Sequence, residues 1–468
     1  MIDLGKKREV FWDDYLIDTE KTTAFHTIIE PIKKEQVFLL DKGLENAAVS
    51  YPHVLYDGEK YRMYYVSSGN REDKPLSYYS VIESEDGITW HRPVLNICDV
   101  GEEGWSNVLM TVLDNAFTFI DTNPNCPAEE KFKTIAKEYI DDGKDGSCNA
   151  LTCFVSSDGY HMKRSHVMTT EGHFDTLNTA HFDGEKYVAY IRSFHDIIEG
   201  ADINLAKRDV RVMYSTDFKQ WTTPKLIEFY DGIDYPLYTN NVIPYERAPQ
   251  IKLGFPTRYV EGPDRQGSFK QLASRGVKEN AAERLKNDRV ARAVTDTIFM
   301  FSRNGEKWER YNQAFLRNGY ENADNWIYGD GYPSYGFVDS GREVYYFYVD
   351  ECHITPVAKP LYRYEVRKDG FACIMAGGDE AVVITKPLIF EGSQLHLNFS
   401  GTAYGYMYVD VLDENCNPIS PESYEVYGDT IDRTVEFPDG SDFSAYAGKQ
   451  VRLRFRMRDT KLFSMKFE

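Results

Sequence analysis

The chain has 468 residues, enough for two to four domains or for one large repeat unit with an appendage. Asp and Glu total 74 against 54 Lys and Arg, and the resulting net charge of −20 argues against nucleic-acid and anionic-membrane partners, which need basic surfaces. The 34 tyrosines and 27 phenylalanines exclude a disordered chain and favour β structure.

The first residues, Met1 to Glu9, hold no apolar signal core, and no later stretch approaches about 18 uninterrupted apolar residues. A soluble, cytoplasmic protein is expected. The seven cysteines are scattered and read as free thiols. Residues 1–44 contain one strong strand, Val10 to Ile17, expected to close or floor the repeat that follows.

A short pattern then recurs. It begins at Ser84 (Ser84-Glu85-Asp86-Gly87, reaching Trp90), at Ser156 (Ser156-Ser157-Asp158-Gly159), at Ser215 (Ser215-Thr216-Asp217, reaching Trp221) and at Ser302 (Ser302-Arg303-Asn304-Gly305, reaching Trp308). A degenerate fifth copy is Arg367-Lys368-Asp369-Gly370-Phe371. Each follows a β-rich run, so the unit reads as strand, tight turn and a returning aromatic. These turns are expected to be structural. Upstream of each copy, a polar Asn or Asp opens a strand at Asn46, Asn115, Asn178, Asn241 and Asp330, and a turn leads into a Tyr-rich strand. Asp57-Gly58-Glu59-Lys60-Tyr61 and Asp183-Gly184-Glu185-Lys186-Tyr187 are near-identical examples. Five such units predict an all-β fold: a five-bladed β-propeller over residues 1–376, with an insertion at 260–292 in which Lys278 to Lys286 reads as a charged helix. After the break at Ala376-Gly377-Gly378, alternating runs such as Val451-Arg452-Leu453-Arg454-Phe455 predict a C-terminal antiparallel β-sandwich over 377–468. The sandwich reads as a packing or oligomer-forming module.

Blade openings converge on one central funnel. Glu45, Asn46, Asp114, Asn115, Asp175, Asn178, Asn240, Asn241 and Asp330 would line it, and such a ring of carboxylates and amides suits a carbohydrate. Asp and Asn at strand starts also cap turns with no ligand present. Arg192 is placed to grip a hydroxyl or carboxylate, Glu351 to act as a general acid, and Trp326 and Tyr332 to stack on a sugar face. His53, His173 and His181 lie near openings without metal-ligand spacing. No cofactor or transition metal is expected, and a calcium ion in the funnel is the one ion considered.

These stretches carry a resemblance. Phe11-Trp12-Asp13-Asp14-Tyr15-Leu16-Ile17, Phe174-Asp175-Thr176-Leu177-Asn178, Leu237-Tyr238-Thr239-Asn240-Asn241 with Arg247-Ala248-Pro249, Gly254-Phe255-Pro256-Thr257-Arg258 and Asn325-Trp326-Ile327-Tyr328-Gly329-Asp330 are similar to bacterial glycosyl hydrolase family 32-like proteins. Those belong to the five-bladed propeller superfamily of glycoside hydrolase families 32 and 43. The invertase signature Trp-Met-Asn-Asp-Pro-Asn-Gly is absent, Glu351-Cys352 is followed by His353, and Arg208-Asp209-Val210 departs from Arg-Asp-Pro. The resemblance therefore implies a propeller with a sugar-directed funnel, and fructoside cleavage is unsupported. By analogy it selects Asp114, Asp175, Asp330 and Glu351 as the catalytic pool, with Asp14 in reserve. The expected function is a glycoside hydrolase acting on a small glycoside or oligosaccharide. A non-catalytic sugar-binding propeller and a glycoside phosphorylase are the alternatives, the last with Arg192, Arg258 and Arg303 as phosphate ligands.

Overall fold

A computed structural model describes residues 1–71, 74–141, 143, 146–200, 203–261, 293–319, 326, 331–351 and 358–468. Blade 1 is built from Val49–Tyr56, Tyr61–Arg71, Lys74–Ser84 and Val108–Val112, paired in that order. Blade 2 follows with Ala116–Ile120, Phe132–Asp141, Ser147–Ser156 and Lys163–Thr169. Blade 3 runs through Thr179–Phe182, Tyr187–His195, Lys207–Ser215 and Lys225–Leu226. In blade 4, Ile243–Pro244 is innermost. Lys252–Gly254 and Thr257–Glu261 share the second place against Ala293–Ser302, and Lys307–Leu316 is fourth. Blade 5 has Val338–Asp339, Val344–Asp350 and Lys359–Arg367, and it borrows its outer strand, Ile32–Leu40, from the N-terminal region. That strand closes the ring.

Side chains alternate along each strand, so every sheet buries both faces against its neighbours. Five apolar clusters result, one per blade interface. Tyr64 and Tyr79 meet Ala116 and Ala136 between blades 1 and 2, and Phe117 and Ile135 meet Ala189 and Met213 between 2 and 3. Val188 and Tyr190 meet Met300 and Trp308 between 3 and 4. Phe255 and Phe299 meet Phe347 and Val366 between 4 and 5, and Tyr348 and Leu361 meet Val49 and Met63 between 5 and 1.

The recurring turns join third to fourth strands. In the first, Ser84 Oγ accepts from Gly87 N at 2.9 Å and Asp86 Oδ1 from Ile88 N and Thr89 N, both at 2.7 Å. Ser302 and Asn304 repeat this with Gly305, Glu306 and Lys307. The turn requires a positive φ, supplied by glycine in three copies and by Phe218, at φ 62°, in the copy that lacks one. A second-strand tyrosine of the preceding blade ties each glycine turn down. Tyr64 donates to the carbonyl of Gly159 at 3.0 Å, Tyr190 to Gly305 at 2.9 Å and Tyr348 to Gly87 at 2.5 Å. The last of these spans the ring closure.

The fifth copy behaves differently. It leads out of blade 5 into Ala372–Ala376, a strand of the C-terminal sheet. The first residues of the chain enter the same unit: Ile2–Gly5 pairs with Leu388–Phe390, Glu9–Val10 with Arg452–Phe467, and Phe25–Ile28 with Ala372–Ala376. The long strands Leu395–Leu412 and Arg452–Phe467 pair throughout, and both halves of each contribute to one core with Phe399, Val409, Phe455 and Phe467. The C-terminal unit is thus antiparallel β structure apart from the parallel Ile2–Gly5 pair.

The expected strand from Val10 to Ile17 stops after Val10. The aspartates turn the chain: Asp13 Oδ1 accepts from Tyr15 N at 3.1 Å, and the Asp14 carbonyl from Ile17 N at 3.2 Å. Consecutive aromatics then enter two cores. Phe11 packs on Phe455 in the C-terminal unit, and Trp12 on Tyr245, Phe299, Phe301 and Phe371 between blades 4 and 5. The helix expected within 260–292 falls almost wholly on residues outside those described.

Candidate active site

In each blade the first strand leaves the funnel mouth and the second returns to it. First-strand openings, second-strand ends and third-strand starts therefore share one end of the ring.

The amides at this end bind protein. Asn115 Nδ2 donates to the Phe174 carbonyl, and Asn178 Nδ2 donates to Asn115 Oδ1, Phe174 O and Thr176 O at 3.3, 3.2 and 2.8 Å, tying blade 2 to blade 3. Asn240 accepts from Thr179 at 2.9 Å and donates to the carbonyls of Leu177 and Tyr190, tying blade 3 to blade 4. Asn241 donates to Pro333 O at 2.8 Å, from blade 4 to blade 5. Blades 5 and 1 join directly through Tyr335 N to Pro52 O at 2.9 Å. His53 Nε2 accepts from Thr118 N at 2.9 Å, joining blades 1 and 2. All four asparagines are buried, and each directs at least one amide group at a neighbouring blade. Asn46 is exposed and bonds the Asp41 carbonyl at 3.3 Å. Glu45 is fully buried, with Tyr65, Arg92 and the Lys42 N–H on its carboxylate. Burial raises its pKa against the pull of Arg92.

His53 and His181 are core residues. Burial lowers the His53 pKa to about 4 and that of His181 to about 3. Both lie below the unfolded value of about 6.5. Their contribution to stability is complete above about pH 6.5 and declines as pH falls, by about 2 kcal/mol per histidine at pH 5. Urea midpoints at pH 7 and pH 5 should therefore separate less in His181→Leu than in the wild type. An unchanged separation would show that His181 takes up a proton as readily in the folded state as in the unfolded one.

The acids divide by their partners. Asp114 is exposed and pairs with Lys137 Nζ at 2.6 Å. Asp175 keeps 38% of its side chain exposed and accepts from Arg192 Nε at 3.1 Å. Glu351 is buried against the Lys33 ammonium. Asp330 lies outside the described residues. Arg258 is held by Asp296 through two bonds of 2.7 and 2.6 Å. Trp326 is 40% exposed and lines a cavity of about 560 Å³ together with Arg258 and Asp296. Tyr332 is buried and packs on Tyr238 at 5.8 Å.

Asp175 is set by its loop. Phe174, fully buried with φ 57°, and His173 both donate their backbone N–H to the Arg192 carbonyl. A non-glycine residue there is strained and is held by its surroundings. Arg192, only 2% exposed, lies against Phe194 and Tyr238 and donates Nη1 to Leu237 O at 3.1 Å, and its Nη2 has no acceptor among the described residues. The His173 ring feels Arg192, Lys137 and Asp175. Its pKa is lowered mainly by burial, with Arg192 and Lys137 adding to the effect and Asp175 opposing it. The mouth beside blades 2 and 3 thus gathers the Asp114–Lys137 and Asp175–Arg192 pairs, with His173 within the electrostatic reach of Lys137, Arg192 and Asp175.

Third-strand starts add Arg208, Asp209 and Asp296, which reading only the first-strand openings misses. The parallel course of first and third strands is the signal that points to them. Asp209 receives His195 Nδ1 at 3.1 Å, and Asp234 receives His195 Nε2 at 2.9 Å. Burial works against the imidazolium, but these carboxylates outweigh it and raise the His195 pKa. Ligand atoms of His195, Asp196 and Asp234 lie within 4.8 Å of one another, yet the Lys207 ammonium already bridges the two aspartates at 3.1 and 2.7 Å. A cation is therefore already present between them.

Among the described residues, no helix is long and apolar enough to cross a membrane, and six cysteines are free. No family model matches the chain, and no curated protein matches it in sequence. Solved structures do match. One is an N-acetylgalactosamine deacetylase from F. plautii in complex with blood group B trisaccharide, 13% identical, covering 74% of this chain and 96% of that one, with a TM-score of 0.43. Another is a Bombyx mori GH32 β-fructofuranosidase, 7% identical, covering 92% and 94%, with a TM-score of 0.43. A third is a GH43 arabinoxylan arabinofuranohydrolase from Bacillus subtilis, 10% identical, covering 91% and 96%, with a TM-score of 0.38.

Proposed function

We propose that the chain is a glycoside hydrolase that cleaves a small glycoside or short oligosaccharide at the mouth of the propeller. The observation that carries this reading is the Asp175–Arg192 pair. It presents an oriented, partly exposed carboxylate, and a second exposed carboxylate, Asp114, is paired with Lys137 at the same end of the ring. Glycoside cleavage requires one carboxyl group to protonate the leaving oxygen and another to activate water or attack the anomeric carbon. Asp175, fixed by Arg192 Nε, is assigned the second role. Asp114, Asp330 and Glu351 form the pool for the acid. Trp326 and the cavity beside Arg258 accommodate a further sugar unit.

Phosphorolysis is the second reading, favoured by one observation. Arg192 Nη2 has no acceptor among the described residues, and a phosphate oxygen would supply one. Arg258 is committed to Asp296, and Arg303 sits at a third-to-fourth strand turn, away from the mouth.

The test uses aryl glycosides and short oligosaccharides with and without inorganic phosphate, with products separated by chromatography. Free sugar released without phosphate is the expected result. Sugar phosphate formed only when phosphate is added selects the phosphorylase. Saturable sugar binding with no product under either condition selects a binding protein.

A further inference from the structure

A second cavity lies where blade 4 meets the N-terminal segment, at the end of the ring that carries the third-to-fourth strand turns. Its volume is about 580 Å³, within the range of small-molecule sites. Five parts of the chain form it: residues 12–15, His26, Tyr230, side chains between 301 and 311 of blade 4, and Lys386 from the C-terminal unit. It contains the Asp13-Asp14-Tyr15 motif, which the mouth does not use.

The lining offers unused hydrogen-bonding capacity. Asp14 Oδ1 accepts from His26 Nε2 at 2.9 Å, and the Asp14 side chain is mostly exposed. The Glu309 side chain shows no hydrogen bond or ion pair among the described residues, and burial, reinforced by Asp13 and Asp14, raises its pKa against the opposing effect of Arg303. A carboxyl group accepts from the hydroxyls of a ligand. Arg310, with its side chain 1% exposed, donates to Asp231 yet leaves Nη1 without an acceptor, and His26 Nδ1 is likewise buried and unpaired among the described residues. The Arg310 donor calls for an acceptor on the ligand, and His26 Nδ1, an acceptor while Nε2 carries the proton given to Asp14, calls for a donor.

Two rings complete the site. Tyr15 and Tyr230 are both exposed, and each has a cation at one side of its ring: Arg303 at 4.0 Å from Tyr15 and Lys307 at 4.3 Å from Tyr230. Charge selects the ligand. Arg303 is already paired with Asp13 and Glu9, Arg310 with Asp231, and Lys386 with the backbone carbonyls of Asp14 and Tyr15. Those carbonyls leave the charge of Lys386 uncancelled, so Lys386 and Lys307 remain against Asp14 and Glu309. Neither sign is in excess, so the lining suits hydroxyls better than an anion or a metal ion.

We infer that this cavity binds a neutral polyhydroxylated ligand of mono- to disaccharide size, with Asp14 and Glu309 on its hydroxyls and Tyr15 and Tyr230 on its ring faces. The site shares no residue with the mouth and does not depend on the reaction proposed there.

The experiment is titration calorimetry of the full chain with glucose, xylose, arabinose, fructose and sucrose, with glucuronate and inorganic phosphate as charged probes. The Asp14→Ala/Glu309→Ala double variant is titrated alongside, so that binding at this cavity is scored separately from binding at the mouth. At least one neutral sugar should bind the wild type, and the double variant should lose at least tenfold in affinity for it. Tyr230→Ala, a change at an exposed ring, should weaken the same sugar and serves as the reading if the double variant does not fold. Saturation by none of the five sugars, unchanged affinity in the double variant and Tyr230→Ala, or tighter binding of glucuronate or phosphate overturns the inference.

Discussion

Asp175→Asn should lower turnover of a confirmed glycoside about 10²- to 10⁴-fold and leave substrate binding within a small factor of the wild type. The amide keeps the size of the carboxylate and one acceptor for Arg192 Nε, so the loop from His173 to Asn178 stays folded. What disappears is the ability to take a proton from water or to attack the anomeric carbon. The effect should therefore fall on kcat rather than KM. Arg192→Lys provides a graded comparison. A lysine cannot reproduce a guanidinium that contacts Asp175 and Leu237 O while lying against Phe194 and Tyr238. It should lower kcat less than Asp175→Asn and shift the pH profile, because the carboxylate is then held less firmly. Glu351→Gln should have the smaller effect of the two carboxylate changes, since that group is buried against Lys33. Steady-state rates with purified variants decide the matter. Full activity in Asp175→Asn would remove Asp175 from the chemistry and return the nucleophile or base role to Asp114, Asp330 or Glu351.

The repeat was readable because its turns are chemically self-contained. Ser84 with Asp86 and Ser302 with Asn304 make the same hydrogen bonds in blades far apart in the chain, and a local pattern needs no knowledge of its neighbours. The tyrosine excess was readable only in part. The period of two predicted strands, whereas the hydroxyls of Tyr64, Tyr190 and Tyr348 reach turns of the next blade, a relation fixed by closure of the ring. Closure itself was hidden. Ile32–Leu40 pairs with Lys359–Arg367 across more than 300 positions, and its mixed sequence, Ile-Lys-Lys-Glu-Gln-Val-Phe-Leu-Leu, reads less like a strand than Val10 to Ile17 does. At the mouth, sequence identifies residue type and strand position but not direction. Asn178 and Asp175 stand three residues apart. One is buried in interblade hydrogen bonds and the other reaches solvent beside Arg192, and the strained backbone at Phe174, which separates their courses, has no signature in a single sequence.

The largest loss of stability should come from Asp369→Ala, about 3–5 kcal/mol as read from urea midpoints. Asp369 belongs to the turn that leaves blade 5, and its side chain is fully buried. Arg247 donates to it through Nε at 2.8 Å and Nη2 at 2.9 Å. Tyr245 donates its hydroxyl, Ser464 donates Oγ at 2.6 Å and Asn398 donates Nδ2 at 3.0 Å. The Asp369 backbone carbonyl accepts from Trp12 Nε1 at 2.8 Å. One residue therefore binds the N-terminal segment, blade 4 and the C-terminal sheet together. Removing the carboxylate leaves the largely buried Arg247 without its counter-charge, and that uncompensated cation makes the cost large. Burial alone would raise the Asp369 pKa, but the Arg247 guanidinium and the surrounding donors outweigh it and hold the carboxyl well below the usual range. Because the folded value is below the unfolded one, the contribution of the carboxylate is complete above about pH 4 and is lost as pH falls further. Asp369→Asn preserves the shape and removes the charge. It should be destabilised at pH 7 and should approach the wild type in stability below about pH 4, whereas Asp369→Ala should remain weaker because it also loses the shape. Equal midpoints for wild type and Asp369→Ala at pH 7 would mean that Trp12 and the apolar contacts hold the two units together without the buried charge.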